Sequence, residues 1–81
     1  MKDEILKAKG RLAGLRAEKE DLELKIKGLV LLVRNYIDPF EPDMLRLKTK
    51  EALKAAVELD SSRGDFARIV QQIMEIEDAL K

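Results

Sequence analysis

The chain contains no cysteine, no histidine and no tryptophan. Without thiols there is no disulfide framework, no thiolate metal site and no cysteine nucleophile, and the composition suits a reducing compartment such as the cytoplasm. Without imidazole, the commonest general acid–base group is missing as well. Aromatic residues are limited to Tyr36, Phe40 and Phe66. A core must therefore be assembled from Leu, Ile, Val and Ala, which favours helix seams over sheets. Charge of one sign is not in excess either. Sixteen basic residues balance sixteen acidic ones, so no net field draws the chain toward nucleic acid or an anionic membrane, and any such role must rest on local patches. The apolar run Gly28-Leu29-Val30-Leu31-Leu32-Val33 is far short of the roughly 20 residues needed to span a bilayer. The opening Met1-Lys2-Asp3-Glu4-Ile5 runs directly into amphipathic sequence and lacks the apolar stretch of a signal peptide. A soluble, cytoplasmic protein without a membrane partner is expected.

What remains is dominated by two kinds of residue, 40% charged and 46% hydrophobic over 81 positions, a composition seen in coiled coils and long helical hairpins and sufficient for one small domain. A 3-4 spacing runs through Ile5, Ala8, Leu12, Leu15, Lys19, Leu22, Ile26, Leu29, Val33, Tyr36 and Phe40, which predicts a helix seam. A helix from about residue 2 to about 37 would measure roughly 50 Å. Gly10 and Gly14 lie off the seam and each costs about 1 kcal/mol relative to Ala, so the first turns are the softer ones.

Asp38-Pro39-Phe40-Glu41-Pro42 ends that helix, because Pro39 drives Asp38 out of the α region and two closely spaced prolines do not fit inside a helix. A turn is expected over about 38–43 and a return helix over about 44–81. Two starts are open for it: Pro42 in its first turn, or a connector over Met44 to Lys48 followed by a Thr49 cap. Its seam reads Ala52, Ala56, Leu59, Arg63, Phe66, Val70, Ile73, Glu77 and Leu80, with Leu53, Ile69 and Ile76 widening the stripe. Asp60-Ser61-Ser62-Arg63-Gly64-Asp65 interrupts it with poor helix formers. The spacing keeps its phase across this stretch, which favours one continuous helix over a kink at 60–65. The fold class is all-α: a long antiparallel, coiled-coil-like helical hairpin.

Charge patterning agrees with antiparallel pairing. If facing residues sum to about 86, Lys7, Lys9 and Arg11 lie beside Glu75, Glu77 and Asp78, while the acidic run Glu18 to Glu23 lies near Arg63 and Arg68. On the same register Lys25 and Lys27 fall near Glu58 and Asp60, and Arg34 near Glu51. Lys19 interrupts the first seam near the Asp60 to Arg63 interruption of the second, giving an expected mid-length polar belt of Lys19, Asp60 and Arg63. Leu24, Gly28, Leu31 and Leu32 form a second apolar stripe that one hairpin cannot bury. They are the candidate oligomer interface, with a two-fold dimer forming a four-helix bundle as the simplest assembly.

Catalytic material is sparse. The hydroxyl side chains are Thr49, Ser61, Ser62 and Tyr36, and no glycine-rich phosphate loop precedes a Lys-Ser/Thr pair. No catalytic residue, cofactor or metal site is assigned. The carboxylates Glu18, Glu20, Asp21 and Glu23 are interleaved with lysine and read as a solvated helix face rather than a hard-cation site. Arg63-Gly64-Asp65 matches an integrin-binding tripeptide but belongs to secreted loops, and Asp38-Pro39-Phe40 matches a clathrin-adaptor motif that works in disordered tails. Here the second string is needed as a helix terminator, with Phe40 capping the seam.

The opening Lys2-Asp3-Glu4-Ile5-Leu6-Lys7-Ala8-Lys9-Gly10-Arg11-Leu12-Ala13, the turn Asp38 to Pro42 and the Ala/Leu-rich return helix together resemble small uncharacterised helical proteins encoded in Mu-like prophages. The resemblance covers most of the chain and departs from a uniform return helix at Ser61 to Gly64. It implies a bacterial cytoplasmic setting and a phage-associated accessory role, and it brings no ligand, chemistry or functional residues. Two functions are then expected. The first is a non-catalytic helical interaction or structural protein that binds itself and an unidentified protein partner. The alternative is a nucleic-acid accessory factor in which oligomerisation gathers the runs Lys7, Lys9, Arg11, Arg16 and Arg46, Lys48, Lys50, Lys54.

Overall fold

The computed structural model describes residues 2–81. Helix α1 spans Lys2–Tyr36, a single 3-10 turn spans Met44–Arg46, and helix α2 spans Thr49–Ala79. The two helices run antiparallel in a rod of 64 × 16 × 14 Å, the all-α hairpin expected from the seam spacing. Asp3 and Glu4 in the first turn of α1 and Arg34 in its last complement the helix dipole.

The turn is built from short-range hydrogen bonds that the two prolines leave available. Asp38 Oδ1 accepts from the Phe40 N–H at 2.9 Å, and the Asp38 carbonyl accepts from the Glu41 N–H at 3.1 Å. Glu41 Oε1 accepts from the Asp43 N–H at 3.1 Å. Asp43 then caps the 3-10 turn by accepting from the Leu45 N–H at 3.0 Å, the Asx geometry that favours this residue at turn starts. Lys48 N–H donates to the Tyr36 carbonyl at 3.1 Å, tying the first residue before α2 to the last residue of α1. Pro42 precedes the 3-10 turn and lies outside α2. Thr49 is the first helical residue of α2 and not its cap; that position falls to Lys48, which makes no side-chain capping bond.

On α1 the seam follows the expected spacing, with Leu12, Leu15 and Leu29 buried and Ala8, Lys19, Leu22, Ile26, Val33 and Tyr36 half-buried. Its two ends do not close: Ile5 is exposed and Phe40, expected to cap the seam, is 88% exposed. On α2 the seam differs from the expected one. Ile69 and Ile76, expected only to widen the stripe, face α1 together with Ala55 and Ser62, whereas Ala56, Arg63 and Glu77 are exposed. Each choice lies one residue away on the helix. Taking Ser62 and Ile76 instead of Arg63 and Glu77 avoids desolvating two charges and buries an isoleucine. Val70, flanking Ile69, stays half-buried.

This choice explains why α2 continues through residues 60–65 without a break. Ser62, 2% exposed, fits a narrow helix–helix contact that Arg63 could enter only at the cost of burying its guanidinium. Near the open end Leu12, Leu15 and Ile73 pack together with Ile69, Ile76 and Leu80 against them. Near the turn Leu29, Ala52 and Ala55 take the same role. Between the helices, Lys25 bridges Glu58 at 3.5 Å and Arg16 bridges Glu77 at 3.5 Å. The first matches the expected register. The second replaces the expected Lys7, Lys9 and Arg11 partners. Lys27 turns to Glu23 on its own helix, and Arg68 to Asp65. All are solvent-exposed pairs worth roughly 0–1 kcal/mol each, so they select register while the apolar seam supplies stability.

Ile73→Ala should therefore destabilise the hairpin by about 2–4 kcal/mol, the range for emptying a buried isoleucine site. Arg63→Leu should change stability by less than about 0.5 kcal/mol because the side chain already faces water. Urea unfolding followed by circular dichroism measures both, and comparable losses for the two variants would contradict the seam as described.

Candidate interaction surface

A helix advances about 100° per residue, so residues a heptad apart share a face. Leu24 and Leu31 are such a pair, and with Gly28 between them they form one stripe on α1 opposite α2. Leu24 is 69% exposed and Leu31 56% exposed. Leu32, also exposed, stands a heptad from Lys25 and so lies on the edge where Lys25 meets Glu58. It borders Leu29, Tyr36 and Lys54 instead of joining the stripe. Three of the four residues singled out in the sequence therefore share one outward face, and the fourth flanks it.

The apolar surface extends beyond them. Val30 is exposed on the opposite edge, and Leu53 and Val57 are exposed on α2. At the tip Ile37, Phe40, Met44 and Leu45 are all exposed, and an open groove of about 410 Å³ between Leu31 and Phe40 is floored by Arg34, Asn35, Ile37, Asp38 and Pro39. Most of the chain's exposed large apolar residues thus lie in the half of the rod nearest the turn. Leu53, expected to widen the α2 seam, is instead turned outward, and Val57 lies four residues further along the same outer face.

The expected polar belt is not gathered at one point. Lys19 is half-buried in the seam of α1 and lines a shallow groove with Arg16, Glu20, Glu23, Ile73 and Glu77. Asp60 and Arg63 are exposed on α2, because the inward position of that stretch belongs to Ser62. Arg63-Gly64-Asp65 is helical and does not present the loop that the tripeptide needs.

Basic residues are similarly divided. The helical turn sends Lys7 and Arg11 toward one edge of α1 and Lys9 and Arg16 toward the other; Arg16 is engaged with Glu77. Arg46 bridges Asp43 within the turn. Among the described residues, no group of three or more acidic side chains is arranged to hold a metal ion, and no helix is long and apolar enough to cross a membrane. No protein-family model, curated protein or solved structure matches the chain.

Lys19 offers a direct test of seam chemistry. Its stem packs in an apolar register while its ammonium must reach solvent past Ile73. Lys19→Leu should raise the stability of the hairpin by about 1 kcal/mol through added apolar burial, read as a higher melting temperature by circular dichroism. A lower melting temperature would mean that the ammonium makes a stabilising contact at this level.

Proposed function

We propose that this chain is a non-catalytic, self-associating helical scaffold: a coiled-coil hairpin whose outward α1 stripe packs against another copy to form a helical bundle. The observation that carries this reading is the exposed stripe Leu24, Gly28, Leu31, continued at its edges by Val30 and Leu32. A monomeric rod would leave this surface in water at a cost of about 25 cal/mol for each Å² of apolar area. The seam between α1 and α2 is already filled by Leu29, Ile26, Ala52 and Ala55, so the stripe has no route to burial within the chain. The setting we propose, cytoplasmic and phage-associated, rests on the sequence resemblance to prophage-encoded helical proteins. A further protein partner would engage the exposed tip around Phe40 and Leu45.

Leu31→Glu supplies the test. Because Leu31 faces away from α2, the variant should keep its helix content at low concentration, while the carboxylate would have to be buried unpaired in any assembly through this stripe, costing several kcal/mol. Sedimentation equilibrium at micromolar concentration should show an oligomer for the parent chain and a smaller species for the variant. A parent chain that sediments as a 9.2 kDa monomer would refute self-association.

A further inference from the structure

The outward face of α2 has a property that the sequence does not disclose until the helix is known to continue through residues 60–65. From Leu53 to Asp78 the positions farthest from α1 recur with an unbroken alternation of four and three residues, and all are exposed. Every helix face repeats in this way; on this one Leu53, Val57, Gly64, Ala67 and Met74 are apolar or small, the residue types that a helix-pairing seam uses. Gly64 stands at its centre. In mid-helix a glycine costs about 1 kcal/mol relative to alanine, and a Cβ added at Gly64, as at Gly10, Gly14 and Gly28, would meet nothing within 4 Å. Packing inside the hairpin therefore gives no reason for a glycine at this position.

We propose that the outer face of α2 pairs antiparallel with the same face of a second copy of this chain, across a two-fold axis between Gly64 and Ala67. Reversing the stripe upon itself sets Gly64 against the partner's Ala67, so the backbones approach closely at the axis. One layer outward, Asp60 meets the partner's Gln71, whose amide donates one N–H to Glu75 of its own helix at 3.3 Å and keeps the second for the facing carboxylate. Beyond it Val57 meets the partner's Met74, two exposed apolar residues covering each other. The flanking charges match as well. Lys54 falls beside the partner's Glu75 on both sides of the axis; among the described residues neither forms an ion pair within its own chain, Glu75 accepting only a hydrogen bond from Gln71. Ser61 falls beside the partner's Arg68, and Arg63 beside the partner's Val70. Like charges approach only at the outermost ends, where Lys50 and Lys81 lie around Asp78, which is bridged to Lys81.

The occupant is a second copy because the inner part of the stripe is self-complementary: from Val57 to Met74 each residue finds its counterpart in the reversed stripe, as an isologous contact requires, while at the two ends Leu53 faces the partner's Asp78 without a match. The contact uses a different helix from the α1 stripe and does not depend on it. Together the two faces would make the hairpin bivalent.

The chain lacks cysteine, so thiols can be introduced one at a time. Val57→Cys and Met74→Cys chains, mixed and treated with a short thiol-to-thiol cross-linker, should give the covalent heterodimer. Val57→Cys alone should not, since antiparallel pairing holds the two Cys-bearing positions about 26 Å apart along the axis. Self-cross-linking of the Val57→Cys chain as efficient as that of the mixture, or no cross-linking of the mixture at concentrations where the parent chain associates, would overturn the proposal. Gly64→Leu should keep the helix content seen by circular dichroism and reduce the mixed cross-link about tenfold or more. Retention of the full yield would overturn the close approach at Gly64. Lys54→Glu should weaken the pair, and adding Glu75→Lys should restore it. All of these results should persist in the Leu31→Glu background, which separates this face from the α1 stripe.

Discussion

Two helices can share only one line of contact, and every other feature of this protein follows from that limit. Each helix offers the other a strip one side chain deep, filled by residues such as Leu12, Leu15 and Ile73 at one end and Leu29 and Ala55 at the other. No third layer lies behind them. The side chains that line the seam keep their outer edges in water, so a residue turned a quarter of the way around the helix is already exposed. A chain that is 46% hydrophobic therefore has more apolar surface than one seam can hide, and the surplus appears on the backs of α1 and α2 and at the tip.

The seam also decides what the charges do. Where a charged residue competes with a neutral or apolar one for an inward position, the helix rotates to favour the latter, as at Ser62 over Arg63 and Ile76 over Glu77. Displaced charges then find partners of convenience on the rod's edges. Arg16 with Glu77 and Lys25 with Glu58 cross between helices, while Lys27 and Arg68 settle on their own helix. Such contacts are too exposed to hold the hairpin together, yet they penalise a slipped register.

Much of this was legible in the sequence, and the parts that were not share a cause. The α1 seam could be read because from Leu12 to Ile26 its inward positions, Lys19 apart, carry Leu or Ile while their neighbours are charged or small. The turn could be read because Pro39 leaves the backbone few choices. On α2 adjacent candidates were similar in character: Ala55 beside Ala56, Ile69 beside Val70. Spacing alone cannot separate two phases that differ by one residue, and only the gain from Ile76 and the avoided burial of Arg63 and Glu77 tips the balance. The polar belt failed to assemble for the same reason. Its Arg63 belongs to a phase the helix does not adopt. The continuity of α2 was favoured by phase but opposed by Ser61, Ser62 and Gly64, a case in which tertiary packing overrides local propensity.

The two helices are fastened unequally along their length. At one end the Lys48 amide holds the Tyr36 carbonyl and the connecting segment is laced by Asp38, Glu41 and Asp43; at the other, Ile5 is exposed and no backbone bond crosses between α1 and Leu80 among the described residues. Tension applied to the two chain ends would therefore act at the unfastened end and across the seam, separating one layer of side chains at a time like a zipper. Tension applied between the tip and those ends would run along the helices and load the whole seam at once in shear. The hairpin is thus mechanically directional, yielding when pulled apart at its ends and resisting when stretched along its axis.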